Sequence, residues 1–424
     1  MQSAATTSLP ERIGGSRNFD YRFAWVRDAG FAVDALTSLS LRPEVHAAVV
    51  YLLSSAAKTV PDVRVLYSIR GEVAPAEMGK VTLWQGYRGS SPVQVGNNAA
   101  KQRQLGAYGD LLECVRRYVA HGNVLGGSAA RVVFRIADNV CDQGPETDAG
   151  IWELGDTQPY TSSKIGCWAA LSRAAELADL GQVPGDHAER WRSTAKAIHD
   201  YVDTACWSEA KSSYAFYAGT DKLDCATLLA ARTGFCAGDD PRLHSTIDAI
   251  RAELTAGGPL LYRYTGMREE EGAFLACSFW LVEALAVAGR HDEAREVMNA
   301  VAEANDVGLL SEEIDPHSRA LLDNMPQALS HLALIQRRDD VRGRGVISRP
   351  PPPPRGSPVT RPGSRAGRRS MTPRGPRREP RQTSPAPAAA GREHGWSPED
   401  TPDRLGPGTA ASAVPRSPRD GRSG

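Results

Sequence analysis

The chain has 424 residues, with 50 Lys and Arg against 50 Asp and Glu, so its formal net charge at pH 7 is zero. A composition with 41% hydrophobic and 24% charged residues excludes a fully disordered or collagen-like chain. No apolar run approaches the ~20 residues that a transmembrane helix needs, which argues against a membrane-spanning protein. The zero charge is nevertheless the sum of two unlike parts of the sequence.

Residues 337–424 hold 19 Arg, no Lys and 8 Asp and Glu, a net charge of +11, together with 17 of the 29 prolines. Residues 1–336 therefore carry a net charge of −11. This division predicts one folded domain over 1–336 and a disordered tail over 337–424, because the tail cannot bury enough apolar surface to offset its ordering entropy. An RNA-binding or SH3-ligand tail is the alternative to an unstructured appendage. The acidic domain argues against nucleic acid as its own partner.

The first 15 residues are polar and lack the apolar segment of a secretory signal. Seven cysteines are spread singly through the domain, and none belongs to a Cys-x-x-Cys pair. These features predict a cytoplasmic protein whose cysteines are reduced core residues. No zinc-ligand spacing is present, so no metal site is expected.

Apolar residues at three-to-four spacing predict about eleven helices. In chain order they cover residues 31–41, 45–57, 98–119, 129–140, 163–180, 187–206, 223–231, 243–254, 272–288, 294–302 and 326–335. The segment 272–285 is apolar nearly all round and has to lie inside a layer of helices, whereas 187–197 has a polar face and belongs outside. Such alternation predicts an all-α, double-layered helical barrel. An α-solenoid would also alternate, but its repeats would resemble one another.

Four segments between the helices combine aromatic, charged and amide side chains, a mixture that suits sugar hydroxyls and pyranose CH faces. The first, 18–28, places an Arg-Asp pair beside aromatic residues at a helix start; charges on a solvated surface are the alternative interpretation. The second, 84–98, is a glycine-punctuated loop. An ordinary connection with an Asn N-cap explains it equally well.

The third segment, 148–164, contains Glu153 next to a tryptophan. An apolar contact can raise the pKa of a Glu, as a general acid requires, and a surface Glu ahead of a capped helix is the alternative. The fourth segment, 309–315, contains Glu312 and Glu313, which could supply a general base or form an exposed acidic turn. One acid and one base are the minimum for glycoside hydrolysis, but spacing alone does not establish that they meet in space.

In this order the segments resemble the glucoamylase-like glycoside hydrolases of family 15, and within it the bacterial branch that includes trehalases. The resemblance runs from about residue 6 to residue 335. Among the ten ordered motifs that carry it are Trp25-Val-Arg-Asp, Gly86-Tyr-Arg-Gly-Ser, Gly150-Ile-Trp-Glu, Leu310-Ser-Glu-Glu-Ile-Asp-Pro and Asn324-Met-Pro-Gln.

The resemblance implies an (α/α)6 barrel and the inverting, exo-acting hydrolysis of α-glucosidic bonds, in trehalose or short α-glucans, with release of β-glucose. It places the general acid on Glu153 and the general base on Glu312, and it implies no cofactor. Dependence on phosphate or Mg²⁺, which some family members show, stays open. The substrate-binding residues that it implies are Arg27, Asp28 and Arg263, with the aromatic residues Trp25, Tyr87 and Trp152.

The chain departs from the family at both ends. Bacterial relatives carry an N-terminal β-sandwich and a linker helix that serves as the first outer helix of the barrel. We therefore expect the barrel to lack that helix and an inner helix to expose part of its apolar face. We hypothesise that the start is truncated and that the tail is out-of-frame translation. A catalytically inactive remnant that at most binds sugar is the alternative to an active hydrolase.

Overall fold

The structure is a computed structural model that describes residues 1–75, 77–302 and 308–341, with side chains as far as residue 335. The predicted tail, apart from its first five residues, lies outside the described residues. Eleven α-helices account for about half of the described residues. They are α1 (Val26–Ser38), α2 (Arg42–Ala57), α3 (Gly106–Ala120), α4 (Gly127–Gln143), α5 (Thr161–Asp179), α6 (Ala188–Ala205), α7 (Leu229–Thr233), α8 (Pro241–Leu254), α9 (Leu275–Val287), α10 (His291–Ala302) and α11 (Ala328–Val341).

The odd-numbered helices form a closed inner ring. Each of α1, α3, α5, α7, α9 and α11 contacts the next, and α11 returns to α1. The even-numbered helices pack outside: α2 on α1 and α3, α4 on α3 and α5, α6 on α5, α8 on α9, and α10 on α9 and α11. The predicted (α/α)6 barrel is confirmed, with six inner and five outer helices among the described residues.

Apolar periodicity explains which helices lie in which layer. In α9, twelve consecutive residues, Leu275 to Ala286, are buried, so this helix has neighbours on every side. In α6, buried residues recur at alternating spacings of three and four and leave the other faces to solvent. They are Ala188, Trp191, Ala195, Ile198 and Val202. On α11, Leu334 and Ile335 are only half-buried, as expected for an inner helix with incomplete cover.

Several helix boundaries differ from the predictions, and at two of them a side chain that caps a 3₁₀ helix stops the predicted α-helical pattern. Predicted helix 98–119 begins at Gly106, since Asn97 caps a short 3₁₀ helix, Asn98–Lys101, with its side chain accepting from Ala99 N. Predicted helix 223–231 is mostly a 3₁₀ helix, Cys225–Leu228, followed by α7. The last helix extends to Val341, beyond the predicted end at 335.

The segments between the helices contain short antiparallel strands, which the sequence analysis did not predict. They are β1 (Thr7–Pro10), β2 (Asn18–Asp20), β3 (Ala24–Trp25), β4 (Leu66–Tyr67), β5 (Gly79–Val81), β6 (Val93–Val95), β7 (Trp207–Ser208), β8 (Ser213–Tyr214), β9 (Thr255–Gly257), β10 (Leu260–Leu261), β11 (Ala273–Phe274), β12 (Glu313–Ile314) and β13 (Leu321–Leu322). In the three-stranded sheet, Phe274 lies opposite Glu313. This pairing fixes residue 312 beside the start of α9.

Two further predictions concern the state of the cysteines and the lack of a membrane-spanning helix. The seven cysteines are all free, and six of them are buried. Among the described residues, none of the helices combines the length and the apolar character needed to cross a bilayer.

Candidate active site

A cavity of about 230 Å³ lies at the N-terminal ends of the inner helices, enclosed by the segments that lead into them. Six of the eight residues predicted from the sequence line it: Trp25, Arg27, Trp152, Glu153, Arg263 and Glu312. Tyr21, Gln102 and Gln327 also line this cavity. The structure therefore brings six separate stretches of the sequence to one place.

Glu153 lies in the loop before α5 and has a left-handed backbone, with φ 61°. The indole Nε1 of Trp25 donates to its Oε1 at 2.6 Å, and Gln102 Nε2 donates to its backbone oxygen at 2.8 Å. Burial raises the pKa of Glu153 above its usual value, although Arg27 and the Trp25 hydrogen bond act in the opposite direction. A carboxyl group that keeps its proton to higher pH suits a general acid.

Glu312 is buried on another side of the cavity and is 4% exposed. The hydroxyl of Tyr21 donates to Oε2 at 2.8 Å, and Gln327 Nε2 donates to Oε1 at 2.8 Å. Its backbone oxygen accepts from Leu275 N, the first residue of α9, at 3.0 Å. With a donor on each oxygen, the carboxylate is held in one orientation, as a base that has to direct a water molecule requires.

One short stretch of the chain orients both carboxyl groups. Tyr21, which binds Glu312, and Trp25, which binds Glu153, are four residues apart, and their rings meet edge to face with centroids 5.5 Å apart. Glu153 and Glu312 are 159 positions apart in sequence, so this aromatic pair supplies the connection that sequence spacing could not establish.

Arg27 lines the cavity, whereas Asp28 does not. The guanidinium donates from Nη1 to Ile151 O at 3.0 Å and from Nε to Asp28 Oδ1 at 2.8 Å. Asp28 is 2% exposed. In this structure Asp28 therefore fixes the arginine, and a direct sugar contact of its own stays a prediction.

Trp152 and Arg263 form another wall. The Arg263 guanidinium carbon lies 5.5 Å from the centroid of the Trp152 ring, and Glu271 binds the guanidinium through both carboxylate oxygens. The Trp152 indole Nε1 donates to Asp224 Oδ1 at 2.8 Å. This arrangement presents a fixed cation and an aromatic edge to the cavity, both suited to a sugar ring.

Tyr87 does not lie with the other predicted residues. It is 46% exposed, packs against Arg88 at 5.3 Å, and is absent from the lining of the cavity. Its segment instead contributes Asn97 and Asn98 to the lining. A sugar contact from Tyr87 stays a prediction.

Three buried carboxylates, Glu11, Glu271 and Glu313, lie behind Arg263, with one oxygen of each within 4.8 Å of the others. They are close enough together to ligate a cation, but Arg263 Nη2 already lies 3.6 Å from Glu11 Oε2 and 3.8 Å from Glu313 Oε1. Burial raises the pKa of Glu11 to about 7. The cluster thus surrounds the guanidinium with carboxyl oxygens and fixes the position of Arg263.

The sequence analysis missed Tyr21, Gln102, Gln327 and Asp224 as members of the site. Tyr21 lies in the segment 18–28, and Gln327 lies in a motif that carried the family resemblance, so the segment and the motif were the signals for these two residues. Asp224 lies in a predicted helix and is 72 positions from its partner Trp152, and no local pattern marked it.

A family model described as glycosyl hydrolases family 15 matches residues 1–303. Among curated relatives, a trehalase of Mycolicibacterium smegmatis is 37% identical over 344 residues, covering 78% of this chain and 51% of the relative. A trehalase of Thermoplasma volcanium is 35% identical over 346 residues, covering 79% and 54%. The chain thus spans about half the length of the curated relatives it matches.

Solved structures agree on the fold. A wild-type glycosidase superposes with a TM-score of 0.60 at 18% identity, covering 80% of this chain and 93% of that one. A bacterial glucoamylase complexed with acarbose gives a TM-score of 0.63 at 15% identity, covering 81% and 52%. With the family model over most of the described residues, and with Glu153 and Glu312 lining one cavity, the chain belongs to glycosyl hydrolase family 15.

Proposed function

We propose that this protein is an inverting, exo-acting hydrolase of α-glucosidic bonds, with Glu153 as the general acid and Glu312 as the general base. The observation that supports this assignment is the pairing described above. Two buried or half-buried carboxyl groups line one cavity, and a different hydrogen-bond environment holds each of them.

The two carboxyl groups have the complementary properties that the reaction needs. Glu153 has a raised pKa, so it carries the proton for the glycosidic oxygen of the leaving sugar. Ionised Glu312 accepts a proton from a water molecule, whose oxygen attacks the anomeric carbon from the face opposite the leaving group. Inversion requires the carboxyl groups to stand about 6.5–9.5 Å apart, with room for that water.

The remaining lining residues account for binding of the glucosyl ring. Arg27 is fixed by two partners, so it can donate to sugar hydroxyls without losing much conformational freedom on binding. Trp25 and Trp152 present aromatic surface, and Arg263 adds a second fixed cation. We propose trehalose or a short α-glucan as the substrate, because the curated relatives named above are trehalases.

The proposal is tested by hydrolysis of trehalose and of maltose, with the product anomers followed by NMR before mutarotation. Inversion of trehalose releases α- and β-glucose in equal initial amounts, whereas retention releases only the α anomer. Inversion of maltose releases β-glucose from the non-reducing residue. Glu153→Gln and Glu312→Gln should each reduce kcat by at least about 100-fold, because each removes one proton-transfer group.

Glu189→Gln serves as the matched control, since Glu189 lies on the outer helix α6 and its side chain is 89% exposed. Its kcat should equal that of the unmodified protein. Unchanged activity in both site variants, or α-glucose as the sole initial product from trehalose, would overturn the assignment. Loss of activity in the control as well would point to unfolding, which a thermal melt detects.

The proposed partner is therefore a disaccharide or short oligosaccharide, and the expectation that the folded domain does not bind nucleic acid stays a prediction. The cytoplasmic location expected from the sequence stays a prediction. So do the domain limits 1–336 and 337–424, although α11 continues for five residues past the first of these limits.

A further inference from the structure

We infer that Asp224 is a positioning residue for the general acid, acting through its hydrogen bond to the indole of the neighbouring Trp152. This inference rests on the proposed function, in which Glu153 protonates the leaving group. Asp224 does not line the cavity, and its side chain has no direct contact with the acid.

Asp224 is fully buried and uses one oxygen for two donors. The Trp152 indole Nε1 donates to Oδ1 at 2.8 Å, and Ala226 N donates to the same oxygen at 2.9 Å, capping the 3₁₀ helix Cys225–Leu228. The second oxygen, Oδ2, has no hydrogen-bond partner among the described residues. The hydrogen bonds of the Asp224 carboxyl group thus serve the Trp152 indole and the cap of the 3₁₀ helix.

The environment of Trp152 leaves its indole N–H dependent on this contact. The rings of Phe274, Trp280 and Tyr264 surround it, with centroids 5.2, 5.8 and 6.4 Å away. A buried indole N–H without an acceptor is costly, so loss of Asp224 should move or tilt the ring to find another partner.

Movement of Trp152 bears directly on the next residue. Glu153 has φ 61°, a left-handed conformation that a residue with a Cβ adopts only while its surroundings fix it. On one side it is fixed by Gln102, which binds its backbone oxygen. On the other side it is fixed by the Trp152 ring. Without the ring anchor, the backbone can relax and carry the carboxyl group away from Trp25 and the reacting oxygen.

Asp224 also connects the acid to the segment that carries Arg263. Cys225 N, next to it, donates to Arg263 O at 2.8 Å, and Asp224 itself forms a β-bridge with Tyr264. The loop that contains Trp152 and Glu153 and the segment that carries Arg263 are thus both held in place by contacts at Asp224. Its removal should disturb acid placement first, because the side chain contacts the Trp-Glu loop while Arg263 is bound through the backbone.

The test compares substrates that differ in their need for an acid. Trehalose and maltose have sugar leaving groups that require protonation, whereas α-glucosyl fluoride releases fluoride without it. For Asp224→Ala we expect kcat on trehalose or maltose to fall by about 100-fold, the range lost with general-acid catalysis, while kcat on the fluoride changes little. Asp224→Asn keeps a carbonyl oxygen for both donors and should recover most of the activity.

Two controls separate positioning from loss of structure. Asp240→Ala removes a comparable helix cap, in which the Asp240 side chain accepts from Arg242 N at 2.8 Å at the start of outer helix α8. It should lower stability without any difference between the two kinds of substrate. Glu153→Gln should show the same difference as Asp224→Ala, in a larger degree.

Three results would overturn the inference. Equal losses on glucosides and on the fluoride would assign Asp224 a structural role, and wild-type kinetics in Asp224→Ala would remove any role. In both cases a substrate-dependent loss in Glu153→Gln would leave the proposed function intact. If Glu153→Gln shows no such loss, or the unmodified protein hydrolyses neither trehalose nor maltose, the proposed function fails, and the inference fails with it.

Discussion

Replacement of Trp25 by Phe should move the pH range in which the enzyme works. The Trp25 indole donates to Glu153 Oε1 at 2.6 Å, a short bond that stabilises the ionised carboxylate more than the protonated acid. This bond lowers the pKa of Glu153 against the opposing effect of burial. Phenylalanine keeps an aromatic face towards the cavity but has no N–H, so the pKa of Glu153 should rise further.

The size of the change follows from the bond that is lost. Trp25 is 2% exposed, so water does not readily replace the donor. A hydrogen bond to a charged group contributes about 1.5–3 kcal/mol, which corresponds to about one to two pKa units at 1.36 kcal/mol per unit. Since the acid has to be protonated, the alkaline limb of kcat/KM should move up by about one pH unit or more. The maximal rate should fall, because the carboxyl group loses its orientation.

The assay is the pH profile of kcat/KM on the glucoside that the unmodified protein hydrolyses. Trp207→Phe is the matched control, since Trp207 packs against Tyr214 outside the cavity, and its profile should not move. An alkaline limb that stays in place, or that moves to lower pH, in Trp25→Phe would refute the reasoning about Glu153.

Three further predictions concern other parts of the site. Tyr21→Phe removes one of the two donors to Glu312 and should lower kcat by at least about 10-fold with a small change in KM, as steady-state kinetics will show. Asp110 lies between Arg27 and Arg232, and burial raises its pKa to about 7. The native state therefore binds its proton more tightly than the unfolded chain, and stability falls as pH rises from about 4 to 7. Asp110→Asn should raise Tm more at pH 8 than at pH 5, unlike exposed Asp186→Asn. Exposed Tyr87→Ala should leave kcat unchanged in the same kinetics.

The helical architecture was predictable because the apolar residues of the sequence recur with the periodicity of helices. The three-and-four spacing of apolar residues in α6 predicts a helix with one buried face, which belongs in the outer layer. The nearly continuous apolar sequence of α9 predicts a helix buried on all sides, which belongs in the inner layer. The boundaries were less predictable. Asn97 stops one predicted helix and Asp224 turns another into a 3₁₀ segment, and both effects depend on a side chain that accepts from a backbone N–H nearby.

The site was predictable to the extent that its residues belong to ordered motifs. Glu153 and Glu312 were found in this way. Asp224 was not, because its partner is 72 positions away and only folding brings the two together. Tyr87 is a different case: an aromatic residue in a glycine-rich loop has the composition of a sugar site, but whether it reaches the sugar depends on how the loop folds, and that contact stays a prediction.

The two ends of the barrel meet beside the cavity that Glu153 and Glu312 line. Ala4 forms a β-bridge with Gln327, Thr6 Oγ1 donates to Asn324 Oδ1 at 3.0 Å, and α11 completes the ring against α1. Gln327 and Tyr21 then hold Glu312 from these two ends. In a nascent chain Glu312 therefore lacks one of its two donors until residue 327 has left the ribosome. On refolding, activity should return with the pairing of these two widely separated segments, later than the helices themselves form.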